Sequence, residues 1–376
     1  MSIRLVHAVA VACCCFLLAC QTRTTLVEAP RAPTPTATAQ PMVSASPATG
    51  SSPEASPGVG ASVSFATAVA TSPAGSPVAG ASPAASPSSP APVAAAPTVA
   101  PCRYGPTRRL AEVQDRALKE ASALAASQRW PGVYWTLNDS GNSPTVYAVD
   151  DQGRSRGTFR IQDAQNVDWE SMQVGPGRDG GWALYIGDIG DNDAERREVV
   201  IYRVPEPEPA PAGAGSGNGR TDEAEAFKVQ YPNGARDAEG LLVHPKTGEI
   251  LIVTKEVLGQ VGVYRVPLPL DARRTVRMER LAEVDMARVG VKIDVVTDAT
   301  VSVDARLVTI RTYGSALEYD VPPGAPLASI WEQMPRVARL DDGPQGEGIT
   351  YRADAGALIT IGESTPAVLY ETPRQC

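Results

Sequence analysis

Histidine is almost missing from this chain. Its 376 residues hold two, His7 and His244, and His7 falls in an apolar N-terminal run. A single imidazole, in the turn-like sequence VHPKTG, excludes a Ser-His-Asp triad and a multi-histidine metal centre. Cysteine is as restricted. Of six, Cys13, Cys14, Cys15 and Cys20 stand within the first twenty residues, which leaves Cys102 and Cys376. No free nucleophilic thiol is expected. A basic excess is lacking too. With 34 Lys and Arg against 42 Asp and Glu, the net charge is −8, which argues against a nucleic-acid partner. Ser140, in NDSGN, has no G-x-S-x-G frame around it. The glycines of PEPEPAPAGAGSGNG lack the strand-to-helix context that a nucleotide loop requires.

Charge is absent from a whole segment. Between residues 33 and 101 the only ionisable side chain is Glu54, and the rest is mainly Ala, Pro, Ser, Thr, Gly and Val. Such a segment cannot bury enough surface to offset its ordering entropy, and its prolines keep it partly extended. Residues 20–101 therefore read as a disordered tether. Before it, Arg4 and the apolar run LVHAVAVACCCFLL make residues 1–19 a signal peptide, too short to span a membrane. The run ends in LLAC, which resembles the lipobox of bacterial lipoproteins, with Cys20 as the lipidated residue. Gln21 after that cysteine resembles the signal of cargo sorted to an outer membrane where the cell has two. The expected protein is an extracytoplasmic, membrane-anchored lipoprotein, and a monomer.

What is present from residue 102 onward is a row of short strand signals separated by Gly, Asp, Pro and Asn. They group into units. ASALAAS, VYWTLND, TVYAVD and GTFRI make the first. ESMQV, ALYIGD, VVIYRV and EAFKVQY make the second. GLLV, EILIVTK, GVYRV and RMERLAEV make the third. TVSV, RLVTIRTY, ALEYDV and RVARL make the fourth, with a loop or short helix in 321–335. GITYR, ALITIG and AVLYE make a fifth that lacks its last strand. TRRLAEVQD, near the start of the domain, resembles MERLAEVD of the third unit and supplies that strand, although ALKEASALAAS after it also has helix propensity. The reading is all-β: a propeller of five blades over residues 102–376, with six allowed if residues 204–239 hide strands. The N-terminal strand closes the ring and a Cys102–Cys376 disulfide clamps the seam.

Each unit opens near a carboxylate: Glu120, Glu170, Glu239, Asp298 and Glu347. Second strands end at Asp139, Asp188, Lys255, Arg311 and Glu363. In a propeller these two positions share one face, so the acids are expected to ring the channel mouth. Like charges in a ring need counter-charges or a cation, and oxygen donors suit Ca²⁺ before Mg²⁺. The expected metal ligands are Asp188, Asp191 and Asn192 of IGDIGDN, with Asp139 and Glu170. If the protein is an enzyme, Glu170, Glu239 and Glu347 are its candidate catalytic groups. Trp135, Trp169, Trp182 and Tyr313 or Tyr351 either line this face or pack between blades.

The segments NDSGN, NVDWESM, LYIGDIGDN and IYRVPEPE resemble a group of bacterial secreted propeller-like proteins of unassigned function. The resemblance is strongest over 134–208 and continues through DAEGLLVHPKTGEILIVTK. A more distant similarity is to calcium-binding lactonase-like and phytase-like propellers, whose ligand pattern does not map onto these residues. The resulting expectation is a tethered propeller that binds a carbohydrate, small-molecule or protein ligand or serves as a scaffold, with calcium as a possible cofactor. The alternative is a calcium- or carboxylate-dependent hydrolase of a lactone, phosphoester or glycoside.

Overall fold

The computed structural model describes residues 102–376 except 215–216, 258–259, 292–293 and 344. The signal peptide and tether expected over residues 1–101, and Cys20 with them, lie outside the described residues. The chain forms five sheets arranged as the blades of a propeller, each with four strands paired antiparallel. Blade 1 contains Ala121–Ala126, Val133–Asn138, Thr145–Asp150 and Ser155–Gln162. Blade 2 contains Trp169–Pro176, Trp182–Asp188, Val199–Pro205 and Glu225–Gln230. Blade 3 contains Ala238–Val243, Ile250–Thr254, Gln260–Val266 and Glu279–Asp285. Blade 4 contains Val296–Val301, Leu307–Thr312, Ser315–Asp320 and Arg336–Arg339. Blade 5 contains Gly346–Tyr351, Ala357–Gly362 and Val368–Gln375, and Arg108–Glu112 from the start of the domain pairs with the last of these as its fourth strand.

Burial falls from the axis outward. Ala121–Ala126 is buried at every position, whereas Arg108–Glu112 is exposed or half-buried throughout. Short apolar runs suit the inner strands because both of their faces are covered. Alternating or polar strands suit the rim. ALKEASALAAS thus becomes strand rather than helix: its alanines meet Tyr134–Asn138 across the sheet, and that pairing overrides local propensity. Five separate apolar cores fill the five junctions, including one between blades 5 and 1 built from Leu124, Val149, Ile359 and Leu369. The ring is therefore closed by packing as well as by strand exchange.

Residues 204–239 do hide a strand, but it makes no sixth blade. Asn218–Glu223 lies parallel to the outer strand of blade 1, and Val276–Arg277 does the same on blade 2. Asn218–Glu223 carries a polar sequence suited to an exposed edge. A single 3₁₀ turn, Leu327–Ser329, occupies the 321–335 connection; its Leu327 and Ala328 amides donate to the Glu249 carboxylate.

Arg103–Tyr104 pairs with Arg374 and Gln375, and Cys102 is disulfide-bonded to Cys376 across 274 residues of sequence. Beside that seam, Tyr104, Tyr351, Arg336 and Arg374 converge on the buried carboxylate of Glu318. Closing so long a loop restricts the unfolded chain, an effect of about 2–4 kcal/mol. Cys102→Ser is expected to lower the melting temperature by several degrees with the far-ultraviolet spectrum unchanged. Equal melting of the variant and the oxidised parent in calorimetry would show that the clamp adds nothing to the packed seam.

Candidate functional site

The same irregularity recurs in every blade. The innermost strand pairs regularly with the second strand at Ala121↔Asn138, Trp169↔Asp188, Ala238↔Thr254, Val296↔Thr312 and Gly346↔Gly362, and in each case the next step is a β-bulge. The bulged residues are Ser122, Glu170, Glu239, Thr297 and Glu347. A bulge re-aims one side chain out of the ladder, and here it does so at five equivalent places around the axis. Three of them are glutamates, all buried. The other two are hydroxyl residues that tie neighbours together. Ser122 donates to the Glu170 carbonyl and carboxylate at 3.1 Å, and Thr297 donates to the carbonyls of Gly346 at 3.0 Å and Glu347 at 3.3 Å.

This register alters the ring expected from sequence. Glu120 precedes the bulge of blade 1, is exposed, and accepts from Asn142. Asp298 lies one residue beyond the bulge of blade 4 and is fully buried beneath the ring. Asp188 aligns with Asn138, Thr254, Thr312 and Gly362; the residue aligned with Asp139, Lys255, Tyr313 and Glu363 is Ile189. Asp188 and Asn138 do the same work. Each accepts from amides in the loop before its inner strand, Asp188 from Asp168 and Asn138 from Lys119 and Glu120. Arg196 pairs with Asp188 at 2.8 Å, and the second Asp188 oxygen is buried without a partner among the described residues. Asp191 accepts from the amides of Glu195 and Arg196 and so caps the following turn. Asn192 is exposed.

Of the five expected metal ligands, two come together. Asp139 and Glu170 join Asp168, with one oxygen from each within 4.8 Å of the other two. An all-carboxylate donor set suits a hard cation, calcium before magnesium. Gly190 lies against this cluster. A Cβ at that position would fall 2.4 Å from Glu170 Oε1 and 2.5 Å from Asp168 Oδ2. Gly190→Ala is therefore expected to push the two carboxylates apart and, for a cation held by this cluster, to weaken binding about tenfold, which corresponds to about 1.4 kcal/mol. Unchanged affinity by titration calorimetry would dissociate the glycine from the cluster.

No family model matches the chain, and no curated protein matches it in sequence. Several solved structures are similar to it at low identity. The PQQ-bound aldose sugar dehydrogenase of Streptomyces coelicolor is 10% identical, over 74% of this chain and 99% of that one, with a TM-score of 0.42. A gluconolactonase of Xanthomonas campestris is 12% identical, over 73% and 96%, with a TM-score of 0.38. The WD40 repeats of RRP9 are 10% identical, over 73% and 100%, with a TM-score of 0.39. Similarity this low carries no chemistry from those proteins to this one.

Electrostatics sets the acidic face apart from the rest of the domain. Burial, then Asp139 and Asp237, push the Asp168 carboxyl up to about 6. Burial also raises Asp139, against the Ser140 amide, and raises Glu363, with Asp139 and Glu120 adding to it. Glu170 is held well above the usual carboxylate range by burial and then by the charge of Glu239. Glu347 is raised by burial and then by Glu363. Glu239 is raised by burial although Lys255 opposes the shift through a direct ion pair. Lys255, whose burial opposes its charge, is raised in turn by Glu239. Tyr313, half-buried beside Glu347, Lys255 and Glu239, is raised by burial. The acids outnumber the cations that reach them, so a bound cation would relieve repulsion already present.

The tryptophans are not part of this face. Trp135 and Trp169 are fully buried, with indole N–H groups donating to Glu206 at 2.7 Å and to the Gln165 carbonyl at 2.9 Å. Tyr351 is buried against Glu318. His244 ends the inner strand of blade 3 and accepts from the amides of Lys246 and Thr247 in the turn that follows.

Proposed function

We propose that this protein is a lipid-tethered, extracytoplasmic propeller whose acidic mouth binds calcium and acts as a cation-dependent hydrolase on an oxygen-rich small molecule. The tether is residues 20–101 with lipid on Cys20. The observation that carries the reading is that Glu170 clusters with Asp139 and Asp168 and is buried at the bulge equivalent to that of Glu239 in the next blade, whose charge raises it. A cation there would polarise a bound carbonyl, phosphoryl or glycosidic oxygen. The adjacent pair is a proton donor and acceptor in one place, with Glu347 and Lys255 in the same charged group. The candidate substrates are a lactone, a phosphoester or a glycoside. A second reading, a ligand-binding scaffold, is favoured by one observation: Ser122 and Lys255 already bond Glu170 and Glu239 within the protein.

The test is calcium titration of the purified full-length protein by calorimetry and thermal melting. Saturation at a hundred times the dissociation constant would stabilise the fold by about 2.7 kcal/mol. The pH dependence has a defined sign. Asp168 titrates near 6 in the fold against about 3.9 when unfolded. The folded state therefore binds more protons between these values, and without cation this group's contribution to stability falls as pH rises through that window. Calcium competes with the same proton, so its stabilising effect should be small at pH 5 and grow to a plateau above pH 7. A calcium response absent at every pH would sink the cation reading and leave the scaffold. Calcium binding with no turnover across lactone, phosphoester and glycoside screens would sink the hydrolase alone.

A further inference from the structure

The axis of the propeller is crossed by side chains just beneath the acidic ring. Ser171 of blade 2 donates to Asp298 Oδ1 of blade 4 at 2.5 Å, although these blades are not neighbours in the ring. Asp298 also accepts from the Ala299 amide through Oδ1 at 2.8 Å and from the Ile349 amide of blade 5 through Oδ2 at 2.8 Å. The Ser171 hydroxyl oxygen accepts in turn from the Leu241 amide of blade 3 at 3.1 Å. Four inner strands thus meet at one hydroxyl and one carboxylate, both fully buried. A second crossing lies deeper: Gln173 of blade 2 donates to the Ala299 carbonyl at 2.8 Å and accepts from the Val301 amide at 3.4 Å. The recess beyond it, on the far side, is about 20 Å³, room for about one water.

Three of the four strands held at this knot carry a ring glutamate close by, and the fourth, which holds Asp298, carries Thr297. Ser171 follows Glu170 directly, Leu241 stands two residues after Glu239, and Ile349 two after Glu347. Bulges are the least constrained points of a ladder, since the extra residue is unpaired. Something else must set where their side chains stand relative to one another. We propose that Asp298 and Ser171 are positioning residues that form the floor of a blind funnel and fix Glu170, Glu239 and Glu347 in their mutual arrangement. A ligand then enters and leaves by one mouth, and threading of a polymer through the axis is excluded. The inference rests on the cation-binding reading for its effect on affinity, and on geometry alone for the positions of the glutamates.

Ser171→Ala removes one oxygen and little volume, while Ser171→Thr keeps the hydroxyl. Crystal structures of the parent and Ser171→Ala without added cation are expected to superpose in their outer strands. The carboxyl groups of Glu170 and Glu239 should differ by more than 1 Å in relative position, on the order of the misplacement that impairs a site. Calcium affinity is expected to fall about tenfold in Ser171→Ala and to recover in Ser171→Thr. Glutamates that superpose with the floor bond gone would overturn the proposal, as would parental calcium affinity in Ser171→Ala. If the parent itself binds no calcium, the failure belongs to the cation reading and the crystal comparison alone decides this one.

Discussion

Glu170→Gln should raise the calcium dissociation constant about a hundredfold and, without calcium, should make the protein more stable. The two effects have opposite signs because the same charge is a ligand in one state and a liability in the other. Glutamine keeps the length of the side chain and an oxygen to accept from Ser122, so the bulge has no reason to rearrange. What disappears is an ionisable carboxyl buried beside Glu239, Asp139 and Asp168, one that holds its proton tightly without a cation and gives it up to bind one. A charged ligand group is worth up to about 3 kcal/mol over a neutral one, and about 1.4 kcal/mol is a factor of ten. In the cation-free protein the fold must either bury this carboxyl charged or hold it protonated above its ordinary range, and glutamine removes that cost. Paired calorimetry, calcium titration on one side and melting in chelator on the other, separates the terms. A variant that melts lower than the parent in chelator yet still binds calcium as tightly would place the cation elsewhere.

How much of this site could be read in advance depends on what a one-residue insertion does to a pattern. The blades were legible because each is four apolar runs at short spacing, and an extra residue in a run leaves its apolar character intact. For the same reason the bulges were invisible. Asp188 looked like the counterpart of Asp139 because both follow a second strand. Only the pairing register shows that Asp188 matches Asn138 and that Ile189 holds the ring position. Asp298 looked like a ring member for the same reason. Asp168, within NVDWESM, is the cluster member absent from the ligands expected from sequence. Its spacing from Glu170, two residues along an extended chain, was the available signal, because such residues share a side. Gly190 could not be understood from its neighbours at all. Its requirement is set by two carboxylates about twenty residues away in sequence and in contact in space. The strand Asn218–Glu223 had no apolar signature to find, since it is mostly exposed and pairs along one edge.

The largest expected loss of stability lies below the funnel, at Arg311. Its guanidinium is fully buried, donates to the Gly348 carbonyl at 3.1 Å and pairs with Asp342 at 2.8 Å, and that carboxylate is also out of solvent. It packs so closely under blade 5 that a Cβ on Gly346 would fall 1.6 Å from its Nη2. Arg311→Met keeps much of the length but strands Asp342 as an uncompensated buried charge. Breaking a buried pair in this way costs about 3–5 kcal/mol, which lowers the melting temperature of a domain this size by about 10 °C. The pair is not self-sufficient, because Arg311 Nε and Asp342 Oδ1 are buried without partners among the described residues. Its desolvation is therefore incompletely repaid, and the double variant Arg311→Met/Asp342→Leu should recover most of the loss. Arg311 also opposes the upward shift of Glu347, so both variants should leave that glutamate more firmly protonated and calcium binding at the mouth little changed. Melting of the two single variants and the double variant closes the cycle. A loss below about 1 kcal/mol in Arg311→Met, within the range of exposed pairs, would mean that water reaches Asp342 and that the junction of blades 4 and 5 is less tightly closed than its geometry indicates.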